Sequence, residues 1–198
     1  MPRDKRALRL RMERHRHALV ESPGFQLRRA ADWPITSCLI SENWTEPAVL
    51  IQIILTRARA DAPADAPLAV GVYLVDPACL GLKNTYGMLM AAWKRREMIE
   101  QIGSTAVLVE VEPGIAAGII RGAIDYAAGL GFPPQADFED THHLVANIPP
   151  ADVSGHLHLG GEDGKPLYII GPEDDAEAIV RKLTAKLGPD GFNYMMGI

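Results

Sequence analysis

The sequence contains only two cysteines, Cys38 and Cys79, in 198 residues. A small secreted domain held together by disulfides usually contains more, so a disulfide framework is not expected. The chain also lacks the run of about 18 apolar residues that a membrane-spanning helix needs. Its first residues, Met1 to Arg6, lack the apolar segment of a secretory signal. These absences predict a cytoplasmic protein that makes no contact with a membrane.

The familiar catalytic signatures are missing as well. There is no phosphate-binding loop, no Gly-x-Gly-x-x-Gly after a strand, no Gly-x-Ser-x-Gly, no His-Glu-x-x-His and no Cys-x-x-Cys. Each of these motifs would indicate a defined chemistry. Without them, the sequence leaves two classes open, a non-catalytic binding domain and an enzyme.

Charge is distributed unevenly along the chain. Residues 1–31 hold nine Lys/Arg against three Asp/Glu, whereas the remainder holds 11 against 22. Residues 4–20 are predicted to form a helix, because Leu8, Met12, His15 and Leu19 have helical spacing. The sequence therefore predicts a basic arm over residues 1–31 and a single domain over residues 32–198. The arginines expected to contact a protein partner or nucleic acid are Arg6, Arg9, Arg11, Arg14 and Arg16.

The domain is predicted to be α+β, with helices packed on an antiparallel or mixed sheet. Strands are expected at 35–41, 48–56, 68–76, 105–111, 156–159 and 166–170, from their β-branched and aliphatic runs. Helices are expected at 84–101, 113–130, 137–145 and 173–187. Because Asp163-Gly164 lies between two of these apolar runs, strands 156–159 and 166–170 are predicted to form a hairpin.

The first candidate site is the turn from Asp76 to Lys83, which is placed between a strand and a helix. A cysteine near a helix N-terminus and a lysine can become a thiolate nucleophile, which makes Asp76, Cys79 and Lys83 candidate catalytic residues. The alternative is structural. In that case Cys79 is buried, Asp76 caps backbone amides and Lys83 is solvated or paired.

The second candidate is a group of histidines and carboxylates. If residues 156–159 form a strand, His156 and His158 share one face, because strand side chains alternate. His142 and Asp140 could then complete the ligand set of a divalent metal. The alternative is a polar, solvent-facing strand beside a helix end. Apart from this metal, no cofactor is predicted.

Four segments of the domain resemble a bacterial protein family that has no known activity. The most recognisable is Val72–Lys83, which contains VDPACLGLK, and a second is Asp163–Asp175, which contains DGKPLY and GPEDD. The others lie in residues 33–40 and 123–138. The resemblance covers residues 33–198 and leaves out the basic arm. It implies a shared fold and no particular reaction, and it marks Asp76, Cys79, Gly81 and Lys83 as a set.

Two functional hypotheses follow. The first is a non-catalytic binding or adaptor domain that contacts a protein partner or nucleic acid through its basic arm. The second is a hydrolase that uses either the histidine and aspartate metal site or the corner formed by Asp76, Cys79 and Lys83.

Overall fold

The computed structural model of this chain describes residues 22–172 and 174–196. The basic helix predicted over residues 4–20, and the five arginines predicted to contact a partner, lie outside these ranges. Residues 22–31 belong to the predicted arm, but they pack as part of the domain and begin its first helix.

The described residues form five helices and seven strands. The helices are α1 (Pro23–Arg29), α2 (Ala92–Gly103), α3 (Pro113–Leu130), α4 (Phe138–Thr141) and α5 (Ala176–Leu187), with a 3-10 turn at His142–Leu144 after α4. The strands are β1 (Ile35–Ser41), β2 (Ile51–Arg57), β3 (Leu68–Asp76), β4 (Gly81–Met90), β5 (Leu108–Glu110), β6 (Leu167–Ile170) and β7 (Asn193–Met196). This combination is the α+β class that the sequence predicts.

The strands form two separate sheets. The larger has the order β4-β3-β2-β1-β5, and each neighbouring pair is antiparallel. Its central strands are rich in isoleucine, leucine and valine, which pack well on a pleated surface. The smaller sheet contains only β6 and β7, which are parallel.

The predicted helix over residues 84–101 is wrong in its first half. Residues 84–90 continue β4, which pairs with β3 along its length, and α2 begins only at Ala92. Tyr86, Leu89 and Met90 have helical spacing, but Tyr86 and Met88 also alternate as a strand requires. Periodicity in a short apolar run does not separate the two structures. Pairing with β3 decides between them, because it satisfies the backbone of both strands.

The predicted strand at 156–159, and the hairpin that it would form, are also wrong. Residues 154–156 form a turn and 157–159 have no regular structure. The Gly160 amide donates to the Pro77 carbonyl and the Leu167 amide donates to Ala78. Both segments therefore hydrogen-bond to the β3–β4 turn, and no strand pairing forms between them.

Helices cover both faces of the larger sheet. On one face α3 packs on Ile40, Ile53 and Val75, and this side holds most of the buried core. On the other face α2 packs through Met98, Ile99 and Ile102 on a smaller cluster that contains Ile54 and Val70. A third cluster joins the smaller sheet to α5, with Cys79, Leu130, Tyr168, Leu183 and Phe192 at its centre.

A pair of glycines lets α1 and the 3-10 turn approach the larger sheet. Gly71 and Gly87 lie opposite each other on β3 and β4. A Cβ on Gly87 would lie 2.8 Å from Leu27 of α1, and one on Gly71 would lie 3.0 Å from Leu144 of the 3-10 turn. Both distances are shorter than van der Waals contact, so a side chain at either glycine would force Leu27 or Leu144 to shift.

Within the part of the chain that the structure describes, no helix combines the length and the apolar character required to cross a bilayer.

Candidate functional site

The corner that carries Asp76, Cys79 and Lys83 is a turn between two strands. β3 ends at Asp76 and β4 begins at Gly81, so the predicted strand-to-helix corner is wrong. Gly81 has a φ of +69°, which favours glycine, and a Cβ there would lie 2.7 Å from the Ala123 carbonyl oxygen of α3. The turn is therefore fixed by its backbone and by helix α3 beneath it.

Asp76 is a buried capping residue. Its carboxylate accepts hydrogen bonds from the amides of Ala78, Cys79 and Leu80, at 3.0, 3.1 and 3.2 Å. Burial raises the pKa of the Asp76 carboxyl, while the three amides and the charge of Lys83 oppose that rise. The bonds satisfy backbone donors that face away from solvent, which is the structural role that the sequence offered as an alternative.

Cys79 lies in the core beneath this turn, with no solvent exposure. Burial raises the pKa of its thiol to about 12, and the negative charge of Asp76 adds to the rise. The thiol is therefore protonated at neutral pH. A cysteine in this state lacks the thiolate character that a nucleophile needs.

Lys83 is paired with a residue from the far end of the domain. Its Nζ lies 2.7 Å from Oδ2 of Asp174, and the same oxygen accepts bonds from the Tyr168 hydroxyl and the Gly171 amide. Burial raises the pKa of Asp174, but the bonds from Lys83, Gly171 and Tyr168 hold it below its ordinary value. Both charges of this pair are mostly removed from solvent, with 16% and 12% exposure.

This pair joins the two sequence blocks that carry the family resemblance. Lys83 ends the first block, and Asp174 belongs to the second, 91 residues later. Asp174 falls within the helix predicted over residues 173–187. In the structure Asp175 caps α5 by accepting from the Ala178 amide, and Asp174 turns back to the larger sheet.

The structure does not bring the four predicted metal ligands together. His142 Nδ1 lies 2.8 Å from the Glu139 carbonyl oxygen, whereas His156 packs edge-on against Trp44. His156 and His158 are exposed on an irregular segment, so the shared strand face that would align them does not exist. Within residues 22–172 and 174–196, no group of three or more His, Cys, Asp or Glu side chains is placed to hold one ion.

A wide cavity lies between the two sheets. We call it the cleft, and its volume is about 960 Å³. One wall comes from residues 41–43, 49–50 and 105–107 at the end of the larger sheet, and the other from residues 169–172 and Met196. Lys83 lines it as well, so the pair with Asp174 connects the two walls.

The walls of the cleft carry exposed apolar side chains. Leu50, Val107 and Met196 are 41%, 64% and 76% exposed. The sequence did not indicate this site, because its residues come from six separate segments. The signal that was present is the pair of resembling blocks, whose lysine and aspartate meet beside it.

Arg57 is a second residue that the sequence did not single out. It is almost fully buried, and it donates from Nε to the Leu144 carbonyl, from Nη1 to Trp33 and from Nη2 to Asn147 Oδ1. Asn147 in turn donates to Ala31. Arg57 therefore ties the end of β2 to the chain after α1 and to the 3-10 turn. The sequence feature that could have indicated this role is a charged residue at the end of an apolar strand.

Comparison with known proteins gives little beyond this geometry. No family model and no solved structure matches the chain. A "Dihydroorotate dehydrogenase (quinone)" from Nocardioides sp. is 30% identical over an alignment of 142 residues, and the alignment covers 67% of this chain and 37% of that protein. The chain therefore spans well under half the length of the curated relative that it resembles.

Proposed function

We propose that this chain is a non-catalytic binding module, and that the cleft holds an apolar segment of a protein partner. The observation that carries the proposal is the cleft itself, about 960 Å³ in volume. Its exposed Leu50, Val107 and Met196 form an apolar surface between two sheets. Contiguous exposed apolar surface of this kind is typical of protein interaction sites.

The charge at the cleft favours a polypeptide over an anionic ligand. Lys83 is already neutralised by Asp174. An ammonium group has three protons, so Lys83 can also donate to a neutral acceptor such as a backbone carbonyl. The domain after residue 31 holds 11 Lys/Arg against 22 Asp/Glu, and this negative excess repels the phosphates of a nucleic acid.

The basic arm supplies a second contact in this proposal. Its arginines, including Arg9 and Arg14, would meet an acidic surface of the same partner. Nucleic acid is the competing ligand for the arm, because the same charges can neutralise phosphates.

The hydrolase hypothesis has less support. Asp76 caps three amides, Cys79 is protonated in the core and Lys83 is paired, so each candidate of the corner is already engaged. The similarity to the dehydrogenase suggests one further ligand to test, a quinone, because that protein is named for one.

Selection of peptides from a displayed random library against the immobilised chain tests the proposal. We expect apolar peptides, and we expect Leu50→Asp or Val107→Asp to weaken their binding by about tenfold or more, which corresponds to about 1.4 kcal/mol. Tyr86→Asp is the matched control, because Tyr86 is 42% exposed but lies outside the cleft.

Three results would contradict the proposal. The first is equal binding of the selected peptides by wild type and both cleft variants. The second is a short-chain quinone that binds the cleft with higher affinity than any peptide. The third is an oligonucleotide that binds through the arm with a steep salt dependence while no peptide binds.

A further inference from the structure

Strand β5 lies at an edge of the larger sheet, between the cleft and a second cavity. In the part of the chain that the structure describes, β5 pairs only with β1. Val107, just before the strand, lines the cleft. Residues 110–113, at the other end of the strand, line a cavity of about 420 Å³. We call residues 107–112 the β5 edge, because they run without interruption from one cavity to the other.

Every second residue of the β5 edge directs its backbone groups away from the sheet. The Val111 amide donates to the Cys38 carbonyl of β1. An antiparallel ladder uses alternate residues, so the odd-numbered residues of the edge face β1. The N–H and C=O groups of Leu108 and Glu110 therefore point to the open side of the strand. Among the described residues these groups have no hydrogen-bond partner, so an added strand can pair with them.

The surroundings of the β5 edge are negatively charged. Glu110 and Glu112 are exposed and line the second cavity, whose described lining contains no Lys or Arg. At the other end of the edge, Glu42 is exposed and lines the cleft. Lys83 lines the cleft too, but Asp174 neutralises it. This charge distribution favours a basic ligand over an acidic one.

Arg95 of α2 does not cancel this negative charge. Its Nε donates to Thr56 Oγ1 at 2.7 Å, and its Nη2 donates to Ser37 Oγ at 2.9 Å. Burial lowers the pKa of Arg95, and the charge of Glu110 opposes that fall. One cation still faces the carboxylates of both Glu110 and Glu112. A second copy paired on this edge would add two more carboxylates, and like charges across a strand pair are destabilising.

The two faces of the β5 edge differ in chemistry. Val109 and Val111 pack against the core cluster on the α3 side of the sheet, whereas Leu108 packs against the cluster on the α2 side. Strand side chains alternate, so Glu110 shares the face of Leu108. A strand added to this edge would extend both faces. Apolar side chains suit the face with the two valines, and basic side chains suit the face with Glu110.

We propose that the partner segment is an extended strand of alternating apolar and basic residues, and that it pairs antiparallel with the β5 edge. This inference rests on the proposed function, because the apolar residues at one end of the segment enter the cleft beside Val107. In an antiparallel ladder, two residues that exchange hydrogen bonds have their side chains on the same face. The basic residues of the partner are therefore the ones whose backbone groups bond to Leu108 and Glu110.

Synthetic peptides test the backbone pairing. The probe is a capped peptide of about eight residues that alternates valine and lysine, and calorimetry measures its binding to the full chain. N-methylation of its lysine amides should weaken binding tenfold or more, because these amides donate to the edge. N-methylation of its valine amides is the matched control and should change the affinity by less than about threefold. Absence of binding by the unmethylated peptide, equal affinities of the two methylated peptides, or a larger loss from methylation at valine would overturn the proposal.

A charge reversal tests the preference for a basic strand. Glu110→Lys with Glu112→Lys should weaken binding of the valine–lysine peptide tenfold or more and strengthen binding of a valine–glutamate peptide by a similar factor. Asp137→Lys with Glu139→Lys is the matched control, because these exposed residues lie outside both cavities. Equal effects of the two double variants, or no gain for the glutamate peptide, would contradict the proposal. A dimer of the full chain that the peptide dissociates would contradict it as well, because a second copy then occupies the edge.

The edge and the cleft fail in different ways. If only the edge proposal is wrong, Leu50→Asp weakens peptide binding while the two methylated peptides bind equally. If only the cleft proposal is wrong, Leu50→Asp binds the valine–lysine peptide like wild type while the difference between the methylated peptides persists.

Discussion

The two candidate sites that the sequence indicates have opposite outcomes in the structure. Asp76, Cys79 and Lys83 come together in one turn, and Asp174 joins them from 91 residues away. The histidines at 142, 156 and 158 separate, because the strand that would align two of them is an irregular segment. A short turn keeps neighbours together in any fold. A ligand set drawn from several segments depends on elements that sequence patterns predict less well.

The comparison also separates two kinds of polar residue. In the corner, polar atoms are buried and each has a defined partner, so they act as structural connections. The two histidines at 156 and 158 are exposed and carry little of the fold. Four predictions test this difference, in order of the expected size of the effect.

The thiol of Cys79 should be almost unreactive in the folded protein. Its pKa is raised from 9.0 to about 12, so the thiolate fraction at neutral pH is about 1000-fold lower than for an ordinary cysteine. Cys38 is buried as well, and its pKa is also raised to about 12. Reaction with a colorimetric disulfide reagent should therefore detect no fast thiol in buffer and two in denaturant. One fast thiol in buffer, lost in Cys79→Ser, would support a nucleophile instead.

Asp76→Ala should destabilise the protein by about 2–4 kcal/mol, because three inward-facing amides lose their acceptor. Urea denaturation measures this free energy of unfolding. The control is His158→Ala, an exposed residue of the other region, for which we expect a change within about 0.5 kcal/mol. If both substitutions lowered the free energy of unfolding equally, the corner would be no more important to stability than the exposed histidine segment.

Lys83→Met and Asp174→Asn should each cost about 1–2 kcal/mol, because each leaves a mostly buried partner without its charge. A double-mutant cycle isolates the pair, and we expect the double variant to lose less than the sum of the two single losses. Strict additivity would show that the two side chains do not stabilise each other. Tyr194→Ala is a suitable exposed control in the smaller sheet.

A smaller effect is expected at His143 when the pH falls. Burial lowers the pKa of His143, and the charges of His142 and Arg28 lower it further, while Asp140 opposes them. The folded protein therefore resists protonation there, and His143 contributes its full stability above the ordinary pKa of 6.5. That contribution declines as the pH falls through the lowered pKa. Stability should fall less between pH 7 and 5 in His143→Gln than in wild type.

Much of the fold could be predicted from local pattern. The helix Pro113–Leu130 and the strands Ile35–Ser41 and Leu68–Asp76 lie where the sequence predicts them, because each has a clear period and a breaker at its ends. β4 could not be predicted this way. Its apolar residues fit both periods, and the deciding interaction is pairing with β3. β7 was not predicted, since it is four exposed residues long and pairs only with β6.

The candidate sites show the same difference between local contacts, which a sequence pattern can predict, and contacts between distant segments, which it cannot. Capping by Asp76 could be anticipated from the turn, because its partners are within four residues. The ion pair between Lys83 and Asp174 could not be anticipated, because it depends on how the smaller sheet packs beside the larger one. The cleft combines six segments and forms only in the assembled domain, so no local sequence pattern predicts it.

The glycine pair at positions 71 and 87 sets an order of events during synthesis. Residues 23–29 leave the ribosome before their docking surface exists, because that surface requires Gly87, which is made about 60 residues later, and Thr141, which contacts the same site. At synthesis rates of roughly 5–20 residues per second, α1 waits several seconds for its place. Helix α1 is therefore fixed in place only after most of the larger sheet has been made.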